Sequence, residues 1–206
     1  MVEILAIIRK EKSLDLRKIL HSRSIEFQSW TVKGRGKEGG LRYKGFLKDK
    51  VLMPFLPKSA FSIFLERDHR EVVNLIIETV YTGSYGDGKI FVFKENEEGS
   101  GMKMIKAVIR PEKLYELVNA LEKNGFKALT TWDVFGRGKE GGIQVNDTVY
   151  NEVVKTMVMI CVGERDVNKV VDTITKVCHT GAYGDGKIFV CDVSEVWTIR
   201  TKERGL

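Results

Sequence analysis

The chain has 206 residues, a net charge of +6 and three cysteines. That length fits one large domain or two of about a hundred residues each. No apolar run approaches the ~20 residues of a membrane-spanning helix, and the start MVEILAIIRKEK lacks a basic region followed by a long apolar core. Cys161, Cys178 and Cys191 all fall in the second half without motif spacing, which argues against a disulfide framework or a zinc site and for buried reduced thiols in a cytoplasmic protein. Basic residues interleave with acidic ones, so the positive balance reads as an ordinary solvated surface with a local excess near a phosphate site, not a nucleic-acid stripe.

In chain order, VEILAIIR is a short β-branched apolar run suited to a buried strand, and Leu16, Ile19 and Leu20 then recur at helical spacing. FQSWTV is strand-like and ends in GRGKEGG at Gly34 to Gly40, after which a long irregular section runs to the strand AFSIFLE. Val72, Val73, Ile76, Ile77 and Val80 mark one apolar face of a second helix. TGSYGDGKIFVF, beginning at Thr82, closes the unit with a turn and a strand.

The same order then repeats. MIKAVIR, the helical set Leu114, Leu117, Val118 and Leu121, ALTTWDVF, and an unchanged GRGKEGG at Gly136 to Gly142 are followed by TMVMICVG and a helix through Val170, Val171, Ile174, Val177 and Cys178. TGAYGDGKIFVC, from Thr180, matches its counterpart at ten of twelve positions. The chain is therefore a tandem duplication. We place one domain at 1–98, a polar linker at 99–101 and a second domain at 102–206. The strand-helix-strand-strand-helix-strand order predicts an α+β fold, two tandem ferredoxin-like units. The loop after the glycine string is four residues longer in the first copy, and only the second copy continues past its closing strand, as SEVWTIRTKERGL.

GRGKEGG contains the dinucleotide spacing G-x-G-x-x-G, but no helix start follows it, so that reading fails. What remains is a strand ending in a flexible, positively charged loop base: Gly34, Gly36, Gly136 and Gly138 allow close backbone approach, and Arg35, Lys37, Arg137 and Lys139 supply charge. GDGK reads either as a plain tight turn or as an anion-binding loop. For the second, Gly83, Gly86, Gly88 and Gly181, Gly184, Gly186 form dense clusters, and Lys89 and Lys187 place a cation at each mouth.

Together, TGxxGDGKIF after a helix, the glycine loop base, the long loop ending in FLPK and the terminal IRT resemble the PII signal-transduction family over nearly the whole chain, twice. DVFGRGK, KTMVMI, LRYKGF and MPFLPK are similar to the pair of PII-like proteins encoded with nitrogenase in archaea and anaerobic bacteria. The resemblance implies a regulator that binds ATP or ADP, with Mg and 2-oxoglutarate. It puts the phosphates against Thr82, Gly83, Gly86, Asp87, Gly88 and Lys89 and against Thr180, Gly181, Gly184, Asp185, Gly186 and Lys187. Gly34, Gly36, Lys37, Gly136, Gly138 and Lys139 would form the loop bases, and Lys58 and Lys155 would pair with a 2-oxoglutarate carboxylate. Arg200 would reach phosphate oxygens.

There are departures. Glu38 and Glu140 stand where many members carry a glutamine at the metal, Thr198 replaces a second arginine, and the first copy has no equivalent of Arg200, so a site that depends on the first copy's own tail is expected to be weaker or absent unless Arg110 or another domain substitutes. Glu38 and Glu140 remain candidate Mg ligands. Val51 and Thr148 occupy the place of the uridylylated tyrosine, which argues against that modification. The resemblance further implies nitrogenase as the partner enzyme and a homotrimer whose six units make two stacked rings. The competing readings are a nucleotide-binding enzyme, an energy-charge sensor without a 2-oxoglutarate response, and a related metal-binding trimer. His21, His69 and His179 are scattered without a nucleophile and base, and Asp87 and Asp185 read as turn braces. His179 reads as a helix cap, and Trp30 and Trp132 as core residues.

Overall fold

Alternation and helical spacing resolve into the same element order in both copies. A computed structural model describes residues 1–44, 50–66, 68–95, 99–136, 143–145, 148–150 and 152–206. The first copy comprises β1 (Val2–Arg9), α1 (Ser13–Ser22), β2 (Gln28–Arg35), β3 (Leu41–Lys44), β4 (Lys50–Met53), β5 (Leu56–Leu65), α2 (Arg70–Val80) and β6 (Gly88–Lys94). The second comprises β7 (Met102–Ile109), α3 (Leu114–Lys123), β8 (Leu129–Gly136), β9 (Ile143–Val145), β10 (Thr148–Tyr150), β11 (Val153–Gly163), α4 (Val167–Cys178) and β12 (Gly186–Val193). Past it lie β13 (Glu195–Thr198) and β14 (Glu203–Arg204). Within the stretch read as irregular, β3 pairs with β4 and β9 with β10 as short antiparallel ribbons, because pairing partners there lie across a gap that periodicity does not bridge.

Each copy is the expected ferredoxin-like unit. The first has strand order β2-β5-β1-β6 and the second β8-β11-β7-β12, all antiparallel. The two helices of each copy cover one face. Val72, Val73, Ile76, Ile77 and Val80 of α2 are all buried against Ile4, Ile8 and Phe61, and full burial of such a side chain contributes ~1.5–3 kcal/mol. Leu117, Val118, Leu121, Val170 and Ile174 do the same for the second copy.

The copies do not stand apart. Lys33–Arg35 of β2 pair with Leu129–Thr131 of β8, joining both halves into one ten-stranded sheet. The helix-free faces close on a shared core of Leu5, Ile7, Val32, Ala60, Phe91, Met104, Met159, Val193 and Val196. Trp30 and Trp132, expected in the cores of the separate units, sit half-buried at this seam with ring centroids 6.0 Å apart.

Candidate functional site

The turn between α2 and β6 is organised by one inward-facing carboxylate. Asp87 is 1% exposed and accepts hydrogen bonds from the Thr82 amide at 2.9 Å, the Gly83 amide at 2.9 Å, the Thr82 hydroxyl and Arg9 Nε at 3.0 Å. Burial pushes its carboxyl upward, but the bonds from Thr82, Arg9 and Gly83 outweigh that and hold it below the usual range. Arg9 also donates to the Tyr85 carbonyl at 2.5 Å. Gly88 has a φ of +125°, and a Cβ there would lie 1.9 Å from the Ile7 carbonyl oxygen, so only glycine lets the turn enter the sheet this closely.

Cations converge on this turn from three separate elements. Lys58 of β5 is buried and donates through Nζ to the Gly86 carbonyl. Its side chain passes over Gly34, where a Cβ would come within 2.9 Å of Lys58 Cγ, which is why the glycine string and the FLPK lysine meet. Burial, with the charge of Arg9, pushes Lys58 down to about 8. Burial and the charge of Lys37 do the same to Lys89, also to about 8.

The third element is the C-terminal segment. β13 pairs with β6, setting Val196 beside Phe91, Trp197 beside Ile90 and Thr198 beside Lys89. Lys89 Nζ donates to the Thr198 hydroxyl at 2.8 Å, and the Arg200 guanidinium lies 4.7 Å over the Tyr85 ring. The segment that extends the second copy in sequence therefore completes the site of the first. Arg110 does not substitute there: it braces its own copy, as Arg9 does.

Glu195 anchors this crossing. It is 6% exposed and lies 2.9 Å from His69 Nε2, 2.9 Å from Trp197 Nε1, 2.5 Å from an Arg204 nitrogen and 3.6 Å from Lys94 Nζ. Burial raises its pKa, but bonds from Trp197, Arg204 and His69 outweigh this and bring it to about 2.

The second copy repeats the inner geometry without the cover. Asp185 accepts from the Thr180 amide at 2.7 Å, the Thr180 hydroxyl at 2.5 Å, the Gly181 amide at 3.1 Å and Arg110 Nε at 3.2 Å. The Thr180 bonds hold its carboxyl well below the carboxylate range. Lys155 donates to the Gly184 carbonyl at 2.5 Å, and a Cβ at Gly186 would lie 1.8 Å from the Val108 carbonyl oxygen. Lys187, however, is exposed, and no described residue stands over Tyr183, which is 88% exposed.

Two separate stretches, residues 1–97 and 102–203, match the family model described as "Nitrogen regulatory protein P-II". The chain belongs to the P-II family. It is 50% identical over 105 residues to "Nitrogen fixation nifHD region glnB-like protein 1" of Methanococcus maripaludis, a match covering 51% of this chain and 100% of that protein. It is 47% identical over 108 residues to "Nitrogen regulatory protein P-II 2" of Methanothermobacter thermautotrophicus, covering 50% of this chain and 94% of that one. Among solved structures, Arabidopsis thaliana PII bound to citrate is 36% identical, with a TM-score of 0.44, covering 52% of this chain and 87% of that one. The chain is thus a tandem nitrogen regulatory protein of the P-II type, and its relatives named for the nifHD region span about one copy.

In this P-II chain, sequence reasoning missed Arg9 and named Arg110 for the first copy's site, whereas it braces the turn of its own copy. Their signal was available: each stands at the end of the first strand of its copy, in AIIR and AVIR, just before the chain enters the first helix. Arg35, read as charge for a ligand, is instead buried in an ion pair 2.5 Å from Glu122 of α3, across the seam. Lys37, Glu38 and Gly36 are exposed beyond the end of β2. Gly136 ends β8 beside Lys155, while Gly138, Lys139 and Glu140 lie outside the described residues. His179 sits at the C-cap of α4, where its amide donates to the Thr175 carbonyl at 3.0 Å, and its Nδ1 faces Asp185 at 3.5 Å. No cluster of three or more metal-ligating side chains occurs among the described residues, and none of their helices is long and apolar enough to cross a membrane.

Proposed function

We propose that this chain is a nucleotide-responsive regulator, cytoplasmic and non-catalytic, in which the first-copy loop takes the phosphates of ATP or ADP. One observation carries this. Lys58, Lys89 and Arg200 gather at a glycine turn whose only carboxylate, Asp87, points inward and is already neutralised by Arg9. A site with that charge distribution favours a polyanion. The burial that lowers Lys58 and Lys89 is what an incoming phosphate would offset. Glu38 stands alone on an exposed turn, so Mg would arrive with the phosphates, held chiefly by their oxygens. 2-Oxoglutarate would exchange the Lys58 bond to the Gly86 carbonyl for one to its carboxylate, and Lys155 offers the same exchange at Gly184.

The long loops that carry β3–β4 and β9–β10 follow the glycine strings directly, so a ligand at the loop base biases their arrangement by its differential affinity. The partner we infer is nitrogenase, on the strength of relatives named for a nitrogen fixation region. Calorimetric titration of ATP, with and without Mg and 2-oxoglutarate, tests the ligand reading; one tight site per chain is expected, and no heat of binding in any combination overturns it. A pull-down with the dinitrogenase component tests the partner, and failure to bind in every nucleotide state excludes it.

A further inference from the structure

The two closing strands have nearly the same sequence and opposite surroundings. On β6, Ile90, Phe91 and Val92 are 0%, 6% and 0% exposed, because β13 pairs along its outer edge. On β12 the equivalent Phe189 and Val190 are 53% and 46% exposed; the strand pairs with β7 on one side and ends the sheet on the other. An open apolar sheet edge of this kind is a template for strand addition. Its equivalence to β6 tells what fits it: an extended segment with apolar residues where Val196 and Trp197 stand, a hydroxyl at the place of Thr198 and a guanidinium two residues on.

We propose that Lys187–Val190 of β12 is the docking edge for the C-terminal strand of a one-copy P-II chain, giving a heteromeric assembly. The chain's own β13 is committed to β6 by the buried Glu195 cluster with His69, Lys94, Trp197 and Arg204. A second copy of the chain holds its β13 in the same way. Its first copy runs from β6 toward β7 and continues into the second copy, so it brings no free segment. Units of one-copy length do exist in the family, since the Methanococcus maripaludis relative matches over its full length while covering half of this chain. The seam gives independent support. Lys33–Arg35 of β2 meet Leu129–Thr131 of β8, whereas Phe135 and Gly136 of β8, the counterparts of Lys33 and Gly34, pair among the described residues with β11 alone. The contact is therefore head-to-tail, and it leaves a complementary face open on each copy. Docking at β12 would place the visiting guanidinium over Tyr183, as Arg200 lies over Tyr85, and so complete the second loop.

The test uses the intact chain and a synthetic peptide of residues 194–206, SEVWTIRTKERGL, read by hydrogen exchange and by mass in solution. The expected result is one peptide per chain, with exchange at 187–190 slowed about tenfold or more, exchange at 89–92 unchanged, and uptake abolished by Phe189→Asp. Three results overturn the proposal: no uptake; uptake with loss of protection at 89–92, meaning displacement of the chain's own strand; or self-association that already protects 187–190, which would make a second copy of this chain the occupant. No nucleotide enters the readout, so failure of the ligand reading leaves this result interpretable.

Discussion

Replacing Glu195 by alanine removes the acceptor that holds the crossing segment on the first copy. An ionised carboxylate at this site can only accept, so the N–H groups of buried His69 and half-buried Trp197, each 2.9 Å away, both lose their partner. A buried donor left unsatisfied costs ~1–3 kcal/mol. The Arg204 side chain is 51% exposed and returns to water at little cost. About 3 kcal/mol follows for the pair, counted below the simple sum because neighbouring groups are not additive. That loss falls on attachment of β13, and it corresponds to roughly a hundredfold weaker protection of the β6 amides it covers. Hydrogen exchange followed by mass spectrometry at 89–92 measures it, with the β1–β5 pairing as an internal control. Glu195→Gln, which keeps one acceptor oxygen, is expected to fall between. Wild-type protection in Glu195→Ala would refute the reasoning, since it would mean that the apolar contacts of Val196 and Trp197 hold the segment unaided.

The same carboxylate sets an acid limit. Its pKa is about 2 when folded against an ordinary 4.5, so its contribution is complete above the unfolded value and is lost as pH falls through about 2; exchange at β6 should rise in that window while secondary structure by circular dichroism persists. At the alkaline end, Lys58 and Lys89 sit near 8 against 10.5 unfolded, so stability gains as pH rises from about 8 to 10.5, while ATP affinity falls as pH passes about 8. Calorimetry near pH 8 in buffers of different ionisation heat should show proton uptake on binding, and its absence would mean that the lysines do not meet the phosphates. Gly88→Ala and Gly186→Ala force a Cβ into a carbonyl oxygen at 1.9 and 1.8 Å with φ values of +125° and +120°; each should lose several kcal/mol in urea denaturation, and a loss under ~1 kcal/mol would contradict the turn geometry. Cys178 is buried with its thiol raised to about 11, so iodoacetamide at neutral pH should modify it only after unfolding.

Much of the molecule is local and was legible. The apolar stripe of α2, the alternation of β1 and β7, and the repeated glycine turn each follow from residues within a few positions of one another, so one reading served both copies. Clustered glycines with positive φ at 83, 86 and 88, and again at 181, 184 and 186, are what a run of that composition permits. Even the meeting of Gly34 with Lys58 rests on a short step within one unit, between adjacent strands.

What the sequence left open lies between the copies. Lys89 bonds Thr198 across 109 positions, His69 meets Glu195 across 126, and Arg35 meets Glu122 across 87. No periodicity extends that far, because such contacts depend on which surfaces meet once both cores have formed. Two strings that agree at ten of twelve positions share a local turn, yet one is covered and the other bare. The sequence determined two equal loops by itself; the tertiary structure made them unequal, because one strand can pair with one edge at a time.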